Sequence, residues 1–417
     1  MIDASARLLK RLAPGEIAWP ASESESVDVG PIVQRVRLSG DFALRAIASE
    51  LGDAPFREVT REEIAAAYRA VTPSLRQALE AAAARIERFA QAQRAALSDV
   101  SYEVGGMRVG HRAVAIESAG IYVPSGRHPL PSSLLMGVIP ARVAGVERVI
   151  ACTARAVPEI LAAAYVAGVD RLFQLGGAQA IAALAFGTES VPKVDLIAGA
   201  GNAYVTAAKR MVFGACGIDA LAGPSEVVVI AASDARAEWV AADLLAQAEH
   251  DPGARAMLLT DDAALADAVE RALEEQLRAL RTAATARAAL ERSGCCAVLP
   301  LRDAIAAANV LAPEHLELHG ERAESLAVQA TAYGSLFVGS RSAEAFGDYG
   351  IGPNHVLPTS GSARYTGGLS VFTFLNARTF VEAIGPIDPT IAAETAELAA
   401  CEGLDAHRRA VCVRGAW

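Results

Sequence analysis

Between about residue 112 and residue 225, short β-rich runs alternate with alanine-rich helical stretches, and this rhythm constrains the fold more than any other feature of the chain. RVIACTA gives way to PEILAAAYVAGV, RLFQLGG to AQAIAALAFG, and KVDLIAGAG to NAYVTAAKRMVFG. Strands separated by helices are joined by crossovers, so they lie parallel in one sheet with the helices on its faces. The rhythm restarts at EVVVIAA (226–232), runs through a helix to about His250 and a strand at RAMLLT, and continues into long helices over 262–294. A second α/β unit is therefore expected. The segment 20–110 reads as helical and amphipathic, with turn signals at Pro55 and Pro73. Beyond Phe346 the chain turns rich in Gly and Pro (GDYGIGPNHVLPTSGSARYTGGLS), a composition that marks a functional loop inside a compact domain. The last forty or so residues read as a helical tail.

Composition narrows the function. With 417 residues, 53% hydrophobic and 21% charged, the chain exceeds one ordinary domain and is not disordered. A net charge of −10 argues against nucleic-acid or acidic-membrane partners, because phosphate binding needs a basic field, and leaves small-molecule chemistry. No apolar run reaches the roughly 18 residues of a membrane span, and MIDASARLLKRLAPGEIAW lacks a signal-peptide core; both predict a cytoplasmic protein. Six cysteines without a CxxC read as reduced, buried thiols.

The polar clusters are few. In DLLAQAEHDP, Gln247 and His250 are three residues apart, so on a helix both project from one face, and Asp251-Pro252 ends that helix. A solvated pair at a helix end would look the same. In LAPEHLEL, Glu314 and His315 are adjacent after Pro313, which points to a turn or helix start; the two offer proton-transfer groups that burial can tune toward neutrality. In GDYGIGPNH, glycines 350 and 352 let Asp348 and His355 converge. Asp, His and a Gln oxygen are ligands that zinc, manganese or cobalt accepts. Glu402 and His407 add a carboxylate and an imidazole near the C-terminus. GGAQA (176–180) follows a strand and opens a helix, where backbone amides can meet a phosphate, but no GxGxxG fingerprint exists in the chain.

Taken together and in order, YVPSG, PSSLLMGVIPARVAGV, GGAQAIAALAFGT, GNAYVTAAKR, AGPSEVVVIA, DLLAQAEHDP, APEHLEL, GPNHVLPT, GLSV and EGLDAH make the chain resemble the histidinol dehydrogenase family over nearly its whole length. The resemblance implies two incomplete Rossmann-like parallel-sheet domains, a helical N-terminal segment (1–19) and a C-terminal tail (370–417) that crosses to the partner of a homodimer. Residues 20–119 and 226–369 would form the zinc and catalytic domain and 120–225 the NAD-binding domain. It further implies Gln247, His250, Asp348 and His407 as zinc ligands, Glu314 and His315 as the acid–base pair, and Ser225, His355 and Glu402 on the substrate. Tyr122, Gln179 and Asn202 match positions that contact NAD. His407 and Glu402 would serve the partner's site. The chain departs from the family at Ala200, where GPGN is usual, at Ser125 in place of a glycine, at Ala220-Leu221 in place of Met-Pro, and at Thr373 and Asn376 after GLSV.

The implied reaction oxidises L-histidinol through L-histidinal to L-histidine, the last steps of histidine biosynthesis, with two NAD molecules. Zinc orients the substrate, His315 takes the alcohol proton and Glu314 activates water for the second step. A neutral His315 is required, so activity is expected to rise through its pKa toward alkaline pH. Three rivals frame this reading: a related zinc and NAD dehydrogenase acting on another alcohol such as sulfopropanediol, a thiol-dependent aldehyde dehydrogenase using Cys295 or Cys296, and a catalytically silent metal-binding scaffold. Neither cysteine has a base or helix start beside it that would lower its pKa.

Overall fold

The structure, a computed structural model, describes residues 7–19, 27–126 and 128–414. The chain opens with strand β1 (Lys10–Leu12), helix α1 (Gly30–Leu51), β2 (Arg57–Val59), α2 (Arg61–Ala70) and α3 (Pro73–Ala95), followed by the hairpin β3 (Val100–Val104) and β4 (Met107–Ala115). Alternation then begins with β5 (Ser118–Val123), α4 (Pro131–Ala144), β6 (Arg148–Thr153), α5 (Pro158–Ala167), β7 (Arg171–Gln174), α6 (Gly177–Phe186), β8 (Leu196–Ala198), α7 (Ala203–Val212) and β9 (Gly217–Ile218). It restarts with β10 (Glu226–Ala231), α8 (Ala237–Ala248), β11 (Arg255–Thr260), α9 (Ala263–Leu277), α10 (Ala283–Ser293), β12 (Cys295–Val298), α11 (Leu301–Leu311), β13 (His315–His319), α12 (Glu321–Glu324) and β14 (Ser335–Val338). A short helix α13 (Glu344–Tyr349), strand β15 (Leu375–Ala383) and the tail helices α14 (Pro389–Cys401) and α15 (Asp405–Cys412) follow.

Two six-stranded sheets share one topology. The first runs β2-β7-β6-β5-β8-β9 and the second β1-β12-β11-β10-β13-β14, so each is wound outward from its first strand, with an extra strand at one edge. β5 and β6 pair parallel, as do β10 and β11, while β2 joins antiparallel and β1 parallel. All six residues of β10 (EVVVIA) are buried, as expected of a strand covered on both faces. Each fully buried Val or Ile there contributes roughly 1.5–3 kcal/mol. In the first lobe α1, α6 and α7 cover one face and α2 to α5 the other; in the second, α8 to α10 cover one face and α11 the other. The chain's winding reverses between β5 and β8 and again between β10 and β13, and such switch points open crevices in α/β sheets. Among the described residues, no helix is long and apolar enough to cross a membrane.

Several expectations are corrected. Residues 10–12 of the segment expected to be helical form β1 on the edge of the second sheet, and residues 1–6 lie outside the described residues. The segment 20–119 packs chiefly on the first sheet rather than on the second, meeting 226–369 through the 350–369 loop. Its β2 pairs with β7 and its helices cover the first sheet, because Val33, Leu44, Ile64 and Ile86 find their apolar partners there. Residues 100–115 are a hairpin rather than helix, and β15 pairs along all nine of its residues with β4. The loop after α13 returns from the second lobe to the first, where Val356, Leu369, Val371 and Phe374 enter the core.

Candidate active site

Strand β13 carries His315, Glu317 and His319 at alternate positions, so all three face one side of the sheet. It starts at His315 as a strand, not the turn or helix start that Pro313 suggests, because Leu316 and Leu318 fill the opposite face. The parallel neighbour β10 fixes Glu314 and His315. The Glu226 N–H donates to Glu314 Oε2 (2.9 Å), and Nδ1 of His315 donates to the Glu226 carbonyl (3.2 Å). The Ser225 hydroxyl also bonds Glu314. With Nδ1 engaged, Nε2 is the basic atom of His315, and it is buried without a hydrogen-bond partner. Glu226 is itself held by Arg255 (2.8 Å) and by the Ser360 N–H (3.1 Å).

Three segments close around this pair. Gln247 sits buried in the last turn of α8, but the helix stops at Ala248, and His250 projects from the following turn as the exposed member at the mouth. The Gln247 side-chain amide lies against Glu344 (3.2 Å), the Glu226 carbonyl (3.3 Å) and His315 Nδ1 (3.1 Å). Helix α13 puts Glu344 and Asp348 one turn apart on one face, both buried. Asp348 lies 4.0 Å from His250 Nε2 and 3.9 Å from His315 Nε2, and Glu344 lies 3.7 Å from His315 Nδ1. His355 donates through Nδ1 to the Asp348 carbonyl (2.8 Å), and its Nε2 accepts from Ser133 of α4 (3.0 Å), which ties the two lobes together.

Burial sets the electrostatics. Desolvation pushes Glu314 and Glu344 well above the usual carboxylate range, Asp348 to about 6 and Glu226 to about 7 despite Arg255. It pushes His315 down to about 3, so the imidazole is neutral. So many buried carboxyls against one arginine call for a further cation. His250, Glu344 and Asp348 offer one ligand atom each, all within 4.8 Å of one another, a span that small side-chain shifts would bring within reach of zinc bonds of about 2.0–2.2 Å. With the bare Nε2 of His315 beside Asp348, these residues fit a divalent cation. A second buried group, Asp243, Glu317 and His319, continues along β13, with His319 Nε2 3.0 Å from Glu317 and 3.5 Å from Asp243. Among the described residues, neither group includes Glu402 or His407, which lie exposed at the end of α14 and on α15.

The three residues matched to NAD contacts meet at the switch point of the first sheet. Tyr122 is near the end of β5, its hydroxyl accepting the Gly177 N–H (3.2 Å); Gln179 is in the first turn of α6, 3.4 Å from Asp53; and Asn202 follows β8 and caps α7 by accepting the Val205 N–H (3.2 Å). Ser125 has a use for its hydroxyl, which accepts the Arg155 N–H (2.9 Å), while the Arg155 guanidinium donates to the carbonyls of Ser125 and Gly126. Thr373 Oγ1 accepts the Ser370 N–H (3.1 Å), and Asn376 pairs with Val114 in the β15–β4 ladder. The cysteine alternative finds no support: Cys295 and Cys296 are buried, and burial pushes both thiols up, Cys296 to about 11.

Glu344, Glu226, Arg255 and Ser133 were not singled out in the sequence. The spacing of Glu344 and Asp348 in EAFGDY was a readable signal, four residues apart on one helical face. The others needed the sheet.

Two doubly wound lobes, the second with a buried acid–imidazole cluster beside its switch point, make this a two-lobed α/β protein with the makings of an active site. The sequence model of histidinol dehydrogenase matches residues 20–415. A histidinol dehydrogenase of Rhizobium meliloti (strain 1021) is 45% identical over 403 residues, covering 94% of this chain and 92% of its own. That of Thermus thermophilus is 44% identical over 415 residues, covering 99% and 100%. The crystal structure of histidinol dehydrogenase from Elizabethkingia anophelis superposes with a TM-score of 0.91 at 36% identity over 98% of both chains. The chain belongs to the histidinol dehydrogenase family and is an oxidoreductase.

Proposed function

We propose that the chain is a zinc- and NAD-dependent enzyme that oxidises L-histidinol through L-histidinal to L-histidine, acting as a cytoplasmic homodimer. The observation that carries this reading is His315: neutral, fixed through Nδ1 by the Glu226 carbonyl, and bare at Nε2 beside a cation-suited cluster. Gln247, His250 and Asp348, with His407 of the partner subunit, would hold the zinc ion. When bound, zinc gives the substrate's imidazole and amino nitrogens a fixed point and NAD accepts the hydride. Tyr122, Gln179 and Asn202 seat the dinucleotide on the first lobe, residues 120–225, against the catalytic residues of 226–369.

His315 Nε2 takes the carbinol proton as the alcohol becomes an aldehyde. Glu314, backed by Ser225 and the Glu226 N–H, removes a proton from the water that adds to the aldehyde while His315 returns its proton to the aldehyde oxygen, and the hydrate would then give the second hydride to NAD with the neutral His315 again as base. Ser225, His355 and the partner subunit's Glu402 line the substrate, the last as counter-ion to its ammonium. The test is the yield of NADH from zinc-loaded protein. Two moles per mole of histidinol, lost on chelation and recovered with zinc, is the expected result. One mole, full activity after verified demetallation, or faster turnover of a sulfonated or other amino alcohol would overturn it.

A further inference from the structure

The turn that follows β8 carries Asn202, and its first residue, Gly199, is fastened at both backbone polar groups. The Gly199 N–H donates to Asp219 Oδ2 (2.7 Å), and its carbonyl accepts from Lys209 Nζ (2.9 Å). Lys209 and Asp219 form an ion pair with each other, their side chains 3% and 2% exposed. Asp219 also accepts the Ala220 N–H (2.6 Å), while its own N–H donates to the Ile197 carbonyl (3.2 Å). Gly199 has φ +115°, and a Cβ there would lie 2.2 Å from the Tyr122 carbonyl oxygen, so the turn is pressed against the strand end that holds Tyr122. Lys209 belongs to α7, which Asn202 caps. One buried pair thus joins the end of β8, helix α7 and the linker that runs on to Ser225.

An ion pair buried this deeply contributes little net stability, because desolvating both charges offsets their attraction, whereas it fixes geometry firmly. The segment it fixes needs fixing. Gly199 and Gly201 flank Ala200, and two glycines in three residues leave the free turn many conformations. Ordering them when a ligand arrives would weaken binding, and a turn ordered beforehand avoids that loss. We propose that Lys209 and Asp219 are positioning residues for the cofactor, holding the 199–202 turn in its binding shape before the dinucleotide arrives. This rests on the NAD reading above, and it adds two residues that touch neither the chemistry nor the metal.

The experiment compares wild type with Asp219→Asn and Lys209→Met, all zinc-loaded, by NADH fluorescence titration and steady-state kinetics. The Kd for NADH and the KM for NAD should rise about tenfold or more. At saturating NAD, kcat should stay within about threefold, with the KM for histidinol and the zinc content unchanged. Unchanged NADH affinity in folded variants, or an equal rise in the histidinol KM, overturns the proposal. Should the variants not fold, hydrogen exchange on the wild type decides: the Gly199 and Ala220 amides should be protected without cofactor as well as with it, and protection that appears only with NADH overturns the idea. Wild-type protein that binds no NADH overturns the NAD reading and this proposal with it, while a null result confined to the variants leaves the NAD reading standing.

Discussion

His315 is anchored at one ring nitrogen and bare at the other, and that asymmetry decides how the acid–base pair should behave. Because burial holds its pKa near 3, against a smaller opposing pull from the Glu226 carbonyl, the imidazole stays neutral across any working pH. The alkaline rise expected from the sequence therefore does not come from His315. Glu314, raised well above its ordinary value chiefly by burial, is the group that must lose a proton before water can be activated. Glu314→Gln should accordingly slow histidinal oxidation by about 100-fold or more and histidinol oxidation far less, whereas His315→Asn should slow both. Rates measured separately on the alcohol and the aldehyde decide this, and equal losses in Glu314→Gln would remove the water-activating role. Asp243 gives a second check at this scale. Burial first, and the charge of Glu317 next, raise its pKa to about 7 from an unfolded value of about 3.9. A carboxyl raised on folding holds its proton better in the folded state, so its contribution is fully present below about pH 4 and is lost as pH climbs through about 7. Asp243→Asn cannot ionise and should remove up to about 4 kcal/mol of that loss, seen as a Tm that falls less between about pH 5 and 8 than in wild type. Identical slopes would show that Asp243 does not carry the effect. Glu314, His315 and Asp348 were legible because short motifs name them, whereas Glu226 and Arg255 act only where β10 and β11 lie side by side.

At the scale of elements, the rhythm of β-rich and alanine-rich runs was enough to specify parallel sheets, since both faces of strands such as EVVVIA must be buried. Where the rhythm failed, the cause is a competing use of the residues. HLELH alternates polar and apolar residues like a half-solvated strand, yet all five are buried, because the polar face packs on the acid cluster instead of meeting water. The hairpin β3–β4 escaped notice because all five residues of β3 are exposed and give no inward-facing pattern. That hairpin has a structural consequence. Gly105 and Gly106 turn it with φ of +53° and +81°, the left-handed pair that a tight two-residue turn demands. The Gly106 carbonyl then accepts the N–H groups of Ile384 (2.9 Å) and Gly385 (3.1 Å), and the Gly105 carbonyl that of Asp388 (3.1 Å), so the turn is where the C-terminal tail is fastened. A Cβ on Gly106 would lie 2.0 Å from the Pro386 carbonyl oxygen, a backbone atom that cannot swing aside. Gly106→Ala should lower stability by about 1–3 kcal/mol and release the start of the tail. If the tail completes the partner's site, activity should then fall on dilution more steeply than in wild type. Thermal melts and activity against protein concentration test this, and wild-type behaviour in both would mean the tail is held elsewhere.

For the whole molecule, the question is where His407 and Glu402 act. Within one chain they lie exposed on the tail helices, while Gln247, His250 and Asp348 converge in the second lobe without them. Fastening at Gly105 and Gly106 aims the tail away from its own sheets: α14 and α15 pack chiefly on each other, and Leu398, Leu404 and Val413 remain exposed. We propose that each tail completes the partner's site, since the tail carries uncovered apolar residues and the family resemblance implies a homodimer in which His407 supplies a further ligand. In such a two-fold dimer the two sites would be equivalent, each built from one chain's Gln247, His250 and Asp348 and from His407 of the partner subunit. A His407→Ala chain and a His250→Ala chain should each be inactive alone. Their heterodimer would hold one site with both defects and one with none. Random reassortment makes about half of all dimers mixed, so about a quarter of all sites should be intact. Activity should therefore reappear when the two variants are mixed, reversibly unfolded and refolded, and it should approach about a quarter of the wild-type value per site. If verified heterodimers stay inactive while each variant folds and dimerises normally, His407 serves its own chain and the tail does not complete the partner's site.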